Sequence, residues 1–392
     1  MKKPGISSRY LLVLSAGHAF TDMNQGALPA ILPYLVAAGG LKYAEVAGLT
    51  FAVSLFSSML QPIFGIMADR SSRARLLPFG VLLGGCGLSL VGFFPDKYWL
   101  MFAAAVVSGI GVAAYHPEAA RMANRMAGEK KGSGMSIFSV GGNIGFTIGP
   151  MLATPALIYI GLRGSVILAI PAIVMFFVFI RMAPAMHSRS SMGEEGGSSA
   201  PGALKNEWGK FLWLGIAIIA RSIISQNINT FLPLYWINEL GQSGAQAGMA
   251  ISFMFFCGAA ATVMGGYLAD RIGIKNILRI GWLLLIPALF FFTRITNTAG
   301  AWLILVPLAF GLNMINTPAV LLGQKYLPAN IGFASGITMG LGVSIGGLTA
   351  PLLGNYADLH GLAATLRLLC ILPFAGALVA LTIKQPRAES GG

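Results

Sequence analysis

The stretch Gly65-Ile66-Met67-Ala68-Asp69-Arg70 returns in altered form as Gly266-Tyr267-Leu268-Ala269-Asp270-Arg271, 201 residues further on. Each copy ends an apolar run and opens a basic segment. The same offset pairs Gly141 with Gly342, Gly145 with Gly346, Pro150 with Pro351 and Pro117 with Pro318. Matches in order at one spacing indicate a duplicated unit, and a repeat restricts the fold more than any single motif does. The chain reads as two units, residues 1–183 and 207–392. They are joined by 184–206, a polar Gly/Ser-rich segment with the composition of a flexible linker.

Each unit is made of apolar segments of about 20 residues, long enough to cross a bilayer as helices. Charged residues are 10% of the chain and hydrophobic ones 56%, whereas soluble domains carry about 25% charge. The expectation is an all-α integral membrane protein with twelve spans. They fall near 9–36, 44–69, 75–94, 97–123, 131–157 and 163–183, then 208–238, 243–270, 275–293, 299–323, 331–357 and 362–384. Met1-Lys2-Lys3 ahead of Leu11-Leu12-Val13-Leu14 looks like the start of a signal peptide. However, the apolar run continues to Val36 and the first unit needs it as a helix. Cys86, Cys257 and Cys370 stand singly within apolar runs, without metal-ligand or disulfide spacing.

The net charge of +13 does not point to nucleic acid, because Lys and Arg lie in short connections between apolar runs. With the N-terminus inside, inner segments hold 20 of them and outer ends five, namely Lys42, Lys97, Arg163, Arg294 and Arg367. That bias places both termini in the cytoplasm. Two units of six spans then run in the same sense, an arrangement found in secondary transporters with a site between the halves.

Ionisable groups within a bilayer are costly and mark functional positions. Span one carries His18, Asp22 and Gln25 at i, i+4 and i+7, on one helical face. Span four carries His116-Pro117-Glu118. His18, Asp22, His116 and Glu118 are therefore candidates for carrying protons, since carboxylates and imidazoles moved toward neutrality titrate in the working range. Glu118 also stands three residues before Arg121, the spacing of a structural ion pair. The second unit has Thr317 and Ala319 where the first has His116 and Glu118. It adds Asn313, Asn316 and Gln226. Arg221 is the intramembrane cation, suited to hold a carboxylate or phosphonate bidentately or to pair with Asp22 or Glu118. Asn143 in span five joins Gln25, Arg221, Gln226, Asn313, Asn316 and Thr317 as a candidate solute contact.

The doubled Gly-x-x-x-Asp-Arg motif resembles the loop signature of the major facilitator superfamily. The resemblance implies that spans 1, 4, 7 and 10 line a central cavity. It also implies a cytoplasmic gate containing Gly65, Asp69, Arg70, Gly266, Asp270 and Arg271. Gly145-Phe146-Thr147-Ile148-Gly149-Pro150 resembles the span-five motif of antiporters in this superfamily, although Leu152-Ala153 replaces the usual trailing Gly pair. Ser15 to Asp22, Tyr115 to Arg121 and Gly132 to Gly145 resemble the fosmidomycin-resistance branch of bacterial efflux proteins. Membership would imply export of fosmidomycin, a phosphonate with a hydroxamate, in exchange for protons across the bacterial inner membrane.

The expected function is proton-coupled export of a small polar or anionic compound by alternating access. The partners are that solute, protons and the bilayer, with no nucleic acid, no cofactor and a monomeric chain. The alternative is an importer or uniporter of an organic anion or sugar. An enzyme is disfavoured, since His116 and Glu118 lack the i, i+4 spacing of paired helical metal ligands and no phosphate loop is present. No pore-loop filter suggests a channel.

Overall fold

The computed structural model describes residues 8–70, 76–127, 131–191, 206–330, 333–334, 337–338 and 342–383. Most of the linker expected over 184–206 lies outside them. Every regular element among the described residues is helical. Packing divides the chain into residues 1–198 with 230–252, and residues 199–229 with 253–392.

The first unit contains α1 (Ser8–Gly39), α2 (Tyr43–Arg70), α3 (Leu76–Ser89), α4 (Tyr98–Met126), α5 (Lys131–Ile160) and α6 (Ala169–Ser191). Short 3-10 turns at Leu90–Phe93 and Leu162–Leu168 extend α3 and lead into α6. Seven further helices follow: α7 (Trp208–Asn238), α8 (Gly244–Ile272), α9 (Ile274–Phe292), α10 (Thr298–Asn313), α11 (Asn316–Tyr326), α12 (Gly342–His360) and α13 (Leu362–Leu368). After one more 3-10 turn the last helix is α14 (Leu372–Thr382). Residues 230–252, the end of α7 and the start of α8, group with the first unit, where Gly244 and Gly248 meet Tyr34 and Thr154.

Among the described residues, ten segments are long and apolar enough to cross a membrane. Helix α1 is not among them, because His18, Asp22, Asn24 and Gln25 lower its hydropathy. The duplication is visible in the backbone. Gly40 ends α1 at φ +61° and Gly241 follows α7 at φ +62°, both in the left-handed region where an L side chain is strained.

Span ten forms one membrane segment, Thr298–Tyr326, with a turn at Met314-Ile315 between α10 and α11 where both residues keep right-handed helical backbone angles. Pro318 is the cause: it has no N–H for the carbonyl of Met314, and its ring crowds that oxygen.

Helix α1 lies along α5 with backbones in close approach. A Cβ on Gly141, Gly145 or Gly149 would run into the carbonyl oxygens of Ser15, Ala19 and Met23 respectively. One small residue per turn on α5 thus faces one carbonyl per turn on α1, the way small residues let helices meet in lipid. Behind this seam, Leu11, Leu14, Val81, Tyr115 and Phe179 are fully buried in the core of the first unit.

Candidate functional site

In the first unit, α1, α4 and α5 converge on one buried carboxylate. Asp22 is 5% exposed. His18, one turn earlier, places Nε2 3.1 Å from Asp22 Oδ2. His116 on α4 places its Nε2 3.0 Å from Asp22 Oδ1. The amide of Gln25 donates to Oδ1 at 3.2 Å. Three of the residues expected from span one and one from span four therefore meet as a single cluster.

The far side of each imidazole is also fixed. His18 Nδ1 lies 2.8 Å from the carbonyl of Phe138, and His116 Nδ1 lies 3.0 Å from the carbonyl of Val112. The ring of Phe138 stacks on His18 at 4.1 Å between centroids and 16° between planes. The two imidazoles meet edge to face at 5.0 Å.

These contacts define a proton inventory. A carbonyl oxygen only accepts, so each Nδ1 must carry its hydrogen. Each Nε2 then faces a carboxylate oxygen, and a neutral ring has only a lone pair to offer there. Every Nε2···Oδ contact therefore needs one additional proton, held on nitrogen or on oxygen. With a proton in each contact the cluster has a charge of +1, with one it is neutral and with none it has a charge of −1. A nitrogen of each imidazole and an oxygen of Asp22 lie within 4.8 Å of one another, and the N···O separations are those of hydrogen bonds.

Glu118 is placed differently. It is fully buried, and Arg121 grips its carboxylate at 2.7, 2.9 and 3.1 Å. Sequence spacing left two roles open for it; the geometry is that of the i, i+3 ion pair.

Two contributors had no distinct signal in the sequence. Phe138 supplies both a carbonyl and a stacking ring. Gly142 lies one position off the Gly141/Gly145/Gly149 ladder, and a Cβ there would sit 2.6 Å from Asp22 Oδ2 and 2.7 Å from His18 Nε2. Its place within a Gly-rich run hides it among packing glycines.

Asn143 is half-buried in the first unit, its carbonyl accepting from Thr147. In the second unit, Arg221 donates through Nε to the carbonyl of Leu312 at 2.7 Å and shares a pocket with Asn316. Asn313 donates to Ala309 and approaches Gly258. Gln226 and Thr317 are half-buried, and Thr317 faces Gly266. Of the expected gate, Asp69 and Arg70 end α2, with side chains outside the described residues. Asp270 is exposed, and Arg271 lies over the ring of Tyr267 at 4.3 Å.

The family model described as Major Facilitator Superfamily matches residues 14–351. The chain belongs to this superfamily. Among its relatives is the fosmidomycin resistance protein of Escherichia coli, 30% identical over 93% of this chain and 90% of that protein. An uncharacterized MFS-type transporter of Bacillus subtilis is 29% identical over 97% of this chain and 94% of its own length. The multi-drug resistance efflux pump PmrA of Streptococcus pneumoniae is 26% identical over 61% of both chains. Among solved structures, a bacterial homolog of the human lysosomal transporter Spinster aligns with a TM-score of 0.77 at 16% identity, covering 98% of this chain and 99% of that one. The nucleoside transporter NupG gives 0.77 at 14% identity, covering 95% and 98%. At such identities the structural matches speak for the fold. Family and fold are those of major facilitator transporters: multi-pass membrane proteins that move small molecules.

Proposed function

We propose that this transporter exports a small anionic compound of the fosmidomycin type in exchange for protons. The observation that carries the reading is the orientation of two imidazoles, each with Nδ1 committed to a carbonyl, onto the two oxygens of Asp22. A cluster that changes charge from +1 to −1 as two protons leave has a strong reason to change partners or solvation. That is the coupling step an antiporter needs. Protons from outside load the cluster, and their release inside accompanies return of the empty carrier. Glu118, held by Arg121, supports α4 rather than carrying a proton.

Relatives named for fosmidomycin resistance and multidrug efflux support the direction and the solute class. Arg221 supplies the cation for an anionic head. Asn316, Gln226, Asn313 and Thr317 in the second unit, and separately Gln25 and Asn143 in the first, are proposed as polar contacts for the solute. The distribution of Lys and Arg supports both termini in the cytoplasm of the inner membrane, with the two Asp-Arg motifs at the cytoplasmic gate.

The test is transport by the purified chain in liposomes under an imposed pH gradient, beside Asp22→Asn. Wild type accumulates fosmidomycin against its own gradient, whereas the variant only equilibrates it. Accumulation by the variant equal to wild type rules out coupling through Asp22.

A further inference from the structure

His18 Nε2, His116 Nε2 and the ionised carboxylate of Asp22 present lone pairs to one another. Atoms that only accept must be joined by something positive. Protons do this, and so does a metal cation. His18 and Asp22 stand at i, i+4 on α1, the spacing at which two side chains of one helix share a metal ion, and α4 brings His116 to them. At the repeat offset of 201 the second unit carries Ile219, Ile223 and Thr317. Packing of these spans therefore does not require the donor set.

The separations are close to those around a coordinated ion. The two N···O distances are 3.1 and 3.0 Å, and ligand atoms of a tetrahedral ion with bonds of about 2.0–2.1 Å lie roughly 3.3 Å apart. One donor atom from each of the three residues already falls within 4.8 Å of the other two, so turning of the imidazoles closes the set. Each ring is anchored from behind, His18 Nδ1 on the carbonyl of Phe138 and His116 Nδ1 on that of Val112. Metal-binding imidazoles are fixed in this way, with the other nitrogen directed at the ion. Gly142 keeps a side chain off the His18–Asp22 edge, where a Cβ would lie 2.6 Å from Oδ2 and 2.7 Å from Nε2. The imidazoles keep 12% and 19% of their side-chain surface, an approach for an ion. Among the described residues, Asp22 has no Lys or Arg partner to repel one. Two neutral imidazoles, a carboxylate and a divalent cation sum to +1, the charge of the cluster with both protons in place. Two nitrogens and a carboxylate suit Zn²⁺ and its neighbours, whereas Mg²⁺ and Ca²⁺ take sets of oxygens.

We propose that His18, Asp22 and His116 form a binding site for a divalent transition cation such as Zn²⁺, coordinated by both Nε2 atoms and an Asp22 oxygen, with a further position open to water. Binding stands on this geometry alone. Its consequence for transport rests on the proton-exchange reading: the bound ion occupies the places of both protons and arrests exchange.

The test uses the full-length protein, purified without a polyhistidine tag in nanodiscs of zwitterionic lipid. Co²⁺ is titrated by visible absorption and Zn²⁺ by calorimetry. Wild type is expected to bind one ion per chain with the absorption of a four-coordinate nitrogen and oxygen site, no thiolate band from Cys86, Cys257 or Cys370, and no displacement by Mg²⁺. His18→Gln, His116→Gln and Asp22→Asn should each weaken Zn²⁺ binding by at least about a hundredfold, since changes outside the coordination shell already cost about 10- to 100-fold. His360→Gln, at an exposed imidazole on α12, should bind as wild type does. Thermal melting identifies which variants remain folded. Folded wild type that takes up no Co²⁺, or that matches folded His18→Gln and His116→Gln in Zn²⁺ affinity, overturns the site. Liposome transport separates the two readings. Zn²⁺ that binds at the cluster while fosmidomycin exchange continues sinks coupling through the cluster and leaves the metal site standing. A cluster that takes no metal while Asp22→Asn loses proton-driven accumulation does the reverse.

Discussion

Gly142 shows how one missing methyl controls the chemistry of the cluster. Alanine there places Cβ against Asp22 and His18 side chains rather than backbone, so these can yield by turning away. Gly142→Ala is therefore expected to fold with a melting temperature near wild type and to lose most pH-driven accumulation in liposomes. A variant that transports normally would mean the spacing of Asp22 and His18 does not matter. Glu118 and Arg121 make the opposite case, a buried pair outside the cluster. Glu118→Gln strands a largely buried guanidinium, at a cost of about 3–5 kcal/mol. The double variant Glu118→Leu/Arg121→Met should recover much of that loss. Denaturation of the purified variants measures both, and additive effects would refute the pairing as the source.

At the scale of elements, the α1–α5 seam decides whether the cluster can form. The carbonyls of α1 and the glycines of α5 meet backbone to side-chain void, so no rotamer change relieves an added branch. Gly145→Val is expected to destabilise the protein by at least about 1–3 kcal/mol and to push Phe138 off His18. The measurement is melting temperature and monodisperse yield, with Ile144→Val as a control at an exposed neighbour. Equal behaviour of the two would contradict close approach at Gly145. Pro318 exerts control of another kind: lacking an N–H for the carbonyl of Met314, it loosens span ten between Asn313, which lies against Gly258, and Asn316, which shares a pocket with Arg221.

For the whole molecule, the charge distribution carries a topology that chemistry can check. In a background lacking the three native cysteines, Lys97→Cys should react with an impermeant maleimide added to intact cells, whereas Asn276→Cys should react only after lysis. Both sites are exposed. The reverse pattern would invert the orientation, and with it the direction in which protons load the cluster.

The duplication, most of the membrane spans and the superfamily were legible because span length, apolar continuity and repeated words are local in sequence, and bilayer thickness turns them directly into helices. His18 and Asp22 were legible as a pair because helical periodicity alone puts i and i+4 together. Sequence could not decide between the two roles of Glu118, nor show that His116 reaches the second oxygen of Asp22, since both depend on how α4 is rotated against α1. It could not reveal Phe138 and Gly142 among ordinary packing residues. Those features are differences in volume and direction between side chains far apart in the chain, and only the packed helices bring them face to face.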